Sequence, residues 1–147
     1  MLAVIQRVNK ASVTVGNKIV ASIKRGLVIF VGVVKEDTSN DALSLAKKII
    51  ELRIFNDRGR KMNLCAKDIQ AHLLVVSQFT LCADLSGGRR PSFDPAAEPL
   101  IAKKIYLEFI QHLKDEQLKV EQGIFGEYMT VNIDNDGPVT FILDTKE

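Results

Sequence analysis

The chain has 147 residues, 46% of them hydrophobic and 26% charged, and its formal net charge is +2. That length suits one domain, which buries roughly 70% of its unfolded surface and so needs no disulfide or metal to hold it together. The mild charge balance does not itself argue for a nucleic-acid surface, and the longest apolar run, GLVIFVGVV from Gly26, is too short to span a bilayer.

LAVIQRV, from Leu2 to Val8, reads as a strand. ASVTV and KIVASI flank Gly16-Asn17, a two-residue turn signal between β-rich runs, and predict a hairpin. Leu27 to Val34 is apolar without alternation, as expected of a strand buried on both faces. DTSNDALSLAKKIIEL opens with capping residues and repeats Ala42, Leu45, Ala46, Ile49 and Ile50 at helical spacing. RIF reads as a short strand before the turn NDRGRK, and His72 to Leu81, HLLVVSQFTL, as the next buried strand. The long irregular stretch from Cys82 to Glu98 is of a kind that often carries function. A second helix is expected after Pro95, with Ile101, Ile105, Phe109 and Leu113 on its apolar stripe. GIFGEYMTVNID and VTFILD read as two closing strands on either side of NDGPVT. About seven or eight strands and two helices that do not alternate regularly predict an α+β fold. The expected architecture is a mostly antiparallel, barrel-like sheet with two main helices packed on it.

The amino-terminal stretch lacks the basic start and cleavage site of a signal peptide, and Cys65 and Cys82 form no CxxC pair. Reduced thiols and a cytoplasmic location are expected. His72 and His112 belong to no metal-ligand spacing, and the chain has no phosphate-binding glycine loop and no G-x-S-x-G elbow. No metal or cofactor is expected.

Two stretches remain as candidates for chemistry. SQFTL, Ser77 to Leu81, places hydroxyls and an amide at the end of an apolar strand. Strand alternation would turn Ser77 and Phe79 one way and Gln78 and Thr80 the other. These groups either line a site or satisfy the backbone where the strand stops. NDGPVT, Asn135 to Thr140, has the composition of a turn. Yet Pro138 cannot donate to a ladder, Gly137 admits close approach of a ligand or backbone, and a bond to proline is the kind that is readily cis.

SQFTL in mid-chain with N-x-G-P-x-T near the end resembles the D-aminoacyl-tRNA deacylase family. AVIQRV, ASVTV, GLVIFVGV, RIFND with KMNL, LLVVSQFTL, RRPSF and NDGPVTF are similar to that family in the same order along nearly the whole chain. The resemblance implies a homodimer that hydrolyses the ester between a D-amino acid and tRNA, and also removes mischarged glycine. It implies a cis Gly137-Pro138 bond that enters the partner's site, where backbone carbonyls hold the substrate amino group and exclude an L side chain. Ser77, Gln78, Phe79 and Thr80 would form the other wall, with amides near Phe79 facing the developing oxyanion. Arg7 would hold the Gly-Pro loop, and Phe125 and Met129 would face the terminal adenine. A chiral-blind relative has an extended motif followed by His; here Phe141 follows Thr140, which favours the D-selective branch.

No general base is evident near either motif, which fits a reaction assisted by the 2′-hydroxyl of the terminal adenosine. The rival is Thr80 as a nucleophile, for which no neighbouring base is evident. Arg89, Arg90, Lys103 and Lys104 are candidates for tRNA phosphate contacts. A different reading of the same fold is a non-catalytic RNA-binding homodimer.

Overall fold

In the computed structural model, which describes residues 1–147, the first strand organises the rest. β1 (Leu2–Val15) pairs antiparallel with three others: β2 (Lys18–Ile23), β3 (Gly26–Gly32) and β8 (Thr130–Asp144). Its first half runs beside β3, from Leu2↔Gly32 to Val8↔Gly26, and its second half beside β2, from Ala11↔Ile23 to Val15↔Lys18. The expected hairpin at Gly16-Asn17 therefore forms, with Gly16 at φ +59°. β8 runs along the other side of β1.

The change of partner bends β1 and curls the sheet. Ala3 and Ile5 face one core and Val8, Ala11 and Val13 another. β3 and β6 (His72–Ser77) are buried on both faces, which explains why neither alternates in sequence. Leu27, Ile29, Val31, Leu73 and Val75 pack against α1 (Ser39–Glu51) and α2 (Pro99–Asp115). Val28, Leu74 and Val76 face the inside of the curl, with Val8, Val13, Ala21 and Ile23. The result is a nearly closed, barrel-like sheet carrying both helices on one side.

The sheet is mixed, more so than expected. β3 and β6 are parallel, as are β6 and β7 (Lys119–Gln122). Parallel neighbours need a crossover, and the two helices lie on these crossovers. The strands meet closely enough that a Cβ on Gly26 would lie 1.7 Å from the His72 carbonyl oxygen.

Several local expectations need correction. β6 stops at Ser77, and Phe79–Cys82 forms a 3-10 turn, so strand alternation does not orient Ser77 to Thr80. The second helix begins at Pro99, whose missing N–H suits a first helical position; the Pro95 carbonyl instead accepts from the Lys35 amide. Ile101 is 52% exposed, and Tyr106 and Ile110 complete the buried stripe. GIFGEYM is a loop, while NDGPVT lies inside the single strand β8 rather than between two. The RIF strand shifts to β4 (Phe55–Asn56), which pairs with β5 (Met62–Leu64).

No helix is long and apolar enough to cross a membrane. The start of α1 is tied to the end of β8. Asp41 accepts from the Thr38 amide and hydroxyl at 2.8 Å, from the Thr145 hydroxyl at 2.9 Å and from Lys146 Nζ at 3.0 Å. Burial opposes ionisation of Asp41, but the bonds from Thr38, Lys146 and Thr145 outweigh it and hold the carboxyl well below the usual carboxylate range. A carboxyl depressed on folding stabilises above its unfolded value, 3.8, and that contribution is lost as pH falls through the folded value. Asp41→Asn should lower the melting temperature at pH 7. Melting curves at falling pH should show the gap to the parent protein narrowing below about pH 4.

Candidate active site

The end of β6 and its 3-10 turn form one side of a cleft of about 530 Å³. Ser77, Gln78 and Phe79 come from this side, Phe125 and Met129 from the 123–129 loop, and Ala97 and Ala102 from the entry and first turn of α2. The cleft is largely apolar, which suits a planar ring and strengthens the few polar groups inside it.

The turn is seated by backbone contacts. The Gln78 amide donates to the Val31 carbonyl at 2.8 Å, continuing the β3 ladder one residue past the strand end. Leu81 then donates back to the Gln78 carbonyl. The opening amides of such a turn, at Phe79 and Thr80, have no acceptor within it. Gly32 makes the seating possible, because a Cβ there would lie 2.8 Å from Cys82 Sγ and 3.2 Å from the Gln78 carbonyl oxygen. Burial pushes the Cys82 thiol up, which marks it as packing rather than a nucleophile.

Gln78 Nε2 donates to the Thr80 hydroxyl oxygen. The nearest polar partner of Thr80 is therefore an amide, which cannot take its proton. Behind the cleft, the Val75 carbonyl accepts from the Tyr106 hydroxyl at 3.1 Å and from the Gly123 amide at 3.0 Å. One oxygen thus joins α2, β6 and the 123–129 loop. The Tyr106 ring lies 5.6 Å from that of Phe125, and burial pushes its phenol well above its ordinary range, so it serves as a neutral donor. Beside the cleft, the Phe79 and Phe93 rings meet at a tilt with centroids 4.9 Å apart, which brings the 83–98 loop against the turn. Arg89 and Arg90 are exposed on that loop, and Lys103 and Lys104 on α2.

Arg7, Gly137 and Pro138 do not line this cleft. They form a second constellation where β8 bulges away from β1. Gln6 pairs with Thr140 and Val8 with Asn135, so Arg7 alone stands opposite Asp136, Gly137, Pro138 and Val139. The Gly137-Pro138 bond is cis, and Gly137 has φ +122°. A Cβ there would lie 2.7 Å from Val139 Cγ2. Gly137 and Pro138 are exposed, while Val139 is buried. Arg7 is only 5% exposed. Its Nη1 donates to the Ile54 carbonyl at 2.8 Å and to Asn56 Oδ1 at 3.2 Å, and its Nε makes a 2.9 Å ion pair with Asp136. That ion pair is too bent to be a hydrogen bond, since Nε has no hydrogen-bond partner.

The candidate residues thus fall into two groups that lie apart in the chain. Ser77, Gln78, Phe79, Phe125 and Met129 share the cleft, with Thr80 joined through Gln78. The facing wall is made by Ala96, Ala97, Pro99 and Ala102, residues whose types carry no functional signature in sequence. Glu127 and Tyr128 also reach the cleft, because the 123–129 segment is a loop rather than the expected strand. Gly123 and Gly126 were the available signals: Gly126 has φ +82°, and a Cβ on Gly123 would lie 2.7 Å from Met129 Sδ. Glu127 is the one carboxylate lining the cleft, on an exposed residue.

The chain thus carries an apolar cleft beside a 3-10 turn and, apart from it, an exposed loop in β8. Residues 4–144 match the model of the family described as D-Tyr-tRNA(Tyr) deacylase. Relatives named D-aminoacyl-tRNA deacylase include those of Thermosipho melanesiensis (52% identical), Thermosipho africanus (53%) and Clostridium perfringens (50%). Each match covers 100% of this chain and 99% of the relative. A solved structure described as c-Myc DNA Unwinding Element Binding Protein superposes with TM-score 0.92 at 39% identity, covering 98% of both chains. Another, described as a probable eukaryotic D-amino acid tRNA deacylase, superposes with TM-score 0.86 at 14% identity over 97% of both, and shares the fold. The chain belongs to the D-Tyr-tRNA(Tyr) deacylase family, and it is a hydrolase.

Proposed function

We propose that the chain works as a homodimer that hydrolyses the ester of D-aminoacyl-tRNA and of mischarged glycyl-tRNA. The observation that carries this reading is the gathering of Ser77, Gln78, Phe79, Phe125 and Met129 around one cleft, in a member of this family. In this reading Phe125 and Met129 take the terminal adenine, and the amides of Phe79 and Thr80 face the developing oxyanion. Arg89, Arg90, Lys103 and Lys104 meet tRNA phosphates. The substrate belongs to translation, so the cytoplasm is the expected location.

The Gly137-Pro138 loop lies outside its own subunit's cleft, so its use as a filter requires a second copy. Ile142, 78% exposed on the same strand, leaves that edge an apolar side chain for a partner. The loop carbonyls then hold the substrate amino group and leave no space for an L side chain. A wall of backbone rejects by clash, since it has no rotamer to adjust. Glycine passes such a wall because it has no side chain, and D side chains point away from it.

Water is activated or oriented by the 2′-hydroxyl of the terminal adenosine, with the protein supplying position and polarity. The partnership of Thr80 with the Gln78 amide supports this over covalent catalysis. Glu127 is the alternative base that the geometry offers, from an exposed position on the cleft.

Hydrolysis of D-tyrosyl-, glycyl- and L-tyrosyl-tRNA, measured in parallel, tests the function. Release of the first two with the third spared is expected. Release of none would favour a nucleic-acid-binding module, and rapid release of L-tyrosine would remove the exclusion argument. A second comparison addresses the chemistry. Thr80→Ala and Glu127→Gln should each stay within about threefold of the parent rate, whereas a 2′-deoxy terminal adenosine should slow release roughly 100-fold or more. Loss of activity in Thr80→Ala with intact binding would make Thr80 the nucleophile; the same result in Glu127→Gln would make that carboxylate the base.

A further inference from the structure

We propose that Asn135 is a positioning residue for chiral selection, closing the neck of the Gly137-Pro138 loop and setting the direction in which its carbonyls point. The inference rests on the reading of that loop as the filter. A filter made of backbone works only if the backbone is held, and the register of β8 against β1 leaves residues 136–139 without ladder partners. Something other than the sheet must fix them.

The Asn135 carboxamide does this at the base of the bulge. Its Nδ2 donates to the Arg7 carbonyl across the strands at 2.9 Å and to the Val139 carbonyl across the loop neck at 3.2 Å. Both acceptors are carbonyl oxygens, so the NH₂ end of the amide must face them. Both N–H groups of one nitrogen are thereby used, one for each side of the bulge. Aspartate at this position has no donor, and serine has only one. The Val139 side chain is buried, so the neck is anchored in the core while the tip projects into solvent.

The other contacts leave this role to Asn135. Arg7 holds the loop through a bent ion pair to Asp136, whose side chain is 41% exposed and open to screening by solvent. The Nη1 bonds of Arg7 run to Ile54 and Asn56, so they fix Arg7 and not the loop. Asn135 alone joins the first residue before the bulge to the last residue within it.

The test measures the ratio of D-tyrosyl- to L-tyrosyl-tRNA hydrolysis for Asn135→Asp, Asn135→Ala and Pro138→Ala, with melting temperatures recorded for each. Loss of a neck held by two hydrogen bonds should let the loop move, and the D-to-L ratio should fall about tenfold through faster release of the L form. A purely structural asparagine would lower the melting temperature and both rates, leaving the ratio alone. Asn135→Asp preserves the size of the side chain and keeps the test open if Asn135→Ala does not fold. An unchanged ratio in the folded Asn135 variants, with a lowered ratio in Pro138→Ala, would overturn the role of Asn135 and leave the filter standing. An unchanged ratio in Pro138→Ala as well would overturn the filter, and this inference with it.

Discussion

The mismatch between β1 and β8 is the constraint on which the rest depends. The two strands are in register from Leu2↔Asp144 to Gln6↔Thr140, and again from Lys10↔Asp134 to Thr14↔Thr130. Between these segments β8 carries more residues than β1 can pair. The surplus leaves the sheet as a loop, and its position is set by the long ladders on either side. A hairpin tip would place the same residues at the end of a flexible turn. A bulge inside a 15-residue strand places them on a surface braced at both ends. Bending of β1 at the same place lets the sheet curl, so loop and barrel share one origin.

The cleft follows from a different feature of the same sheet. β6 ends while its neighbour β3 still offers a carbonyl, and the Gln78 amide takes it. The chain then tightens into a 3-10 turn over Gly32, and the amides that open the turn have no acceptor within it. Polar side chains contribute little charge here: Gln78 and Thr80 satisfy each other, and the thiol of Cys82 is raised by burial. In the proposed function, such a site places a substrate that brings its own hydroxyl. Preorganised backbone dipoles cost no reorganisation during the reaction.

Much of this was legible in the sequence. The hairpin at Gly16-Asn17, the helix over Ala42 to Ile50 and the two doubly buried strands were signalled by turn chemistry and apolar pattern. Both candidate stretches were identifiable because polar and proline residues interrupt apolar runs. Periodicity could not show which strands pair, so the parallel β3–β6–β7 arrangement and the bulge in β8 were missed. SQFTL looked like more strand because it continues an apolar run with Phe and Thr, which suit strands; the turn it forms needs the space left by Gly32, far away in sequence. Small residues on the cleft wall, such as Ala97 and Ala102, gave no signal, since alanine reads alike in a core and in a binding site.

The central claim is that the loop of one subunit filters substrate at the cleft of another, and a mixed dimer tests it most directly. One protomer would carry Ala102→Trp, which fills its cleft and leaves its loop intact. The other would carry Gly137→Ala with Pro138→Ala, which spoils its loop and leaves its cleft open. Alone, the first should be inactive and the second should release L-tyrosine as well as D-tyrosine. The purified mixed dimer should release D-tyrosine and spare L-tyrosyl-tRNA, because the open cleft faces the intact loop. A mixed dimer that still releases L-tyrosine would contradict the claim.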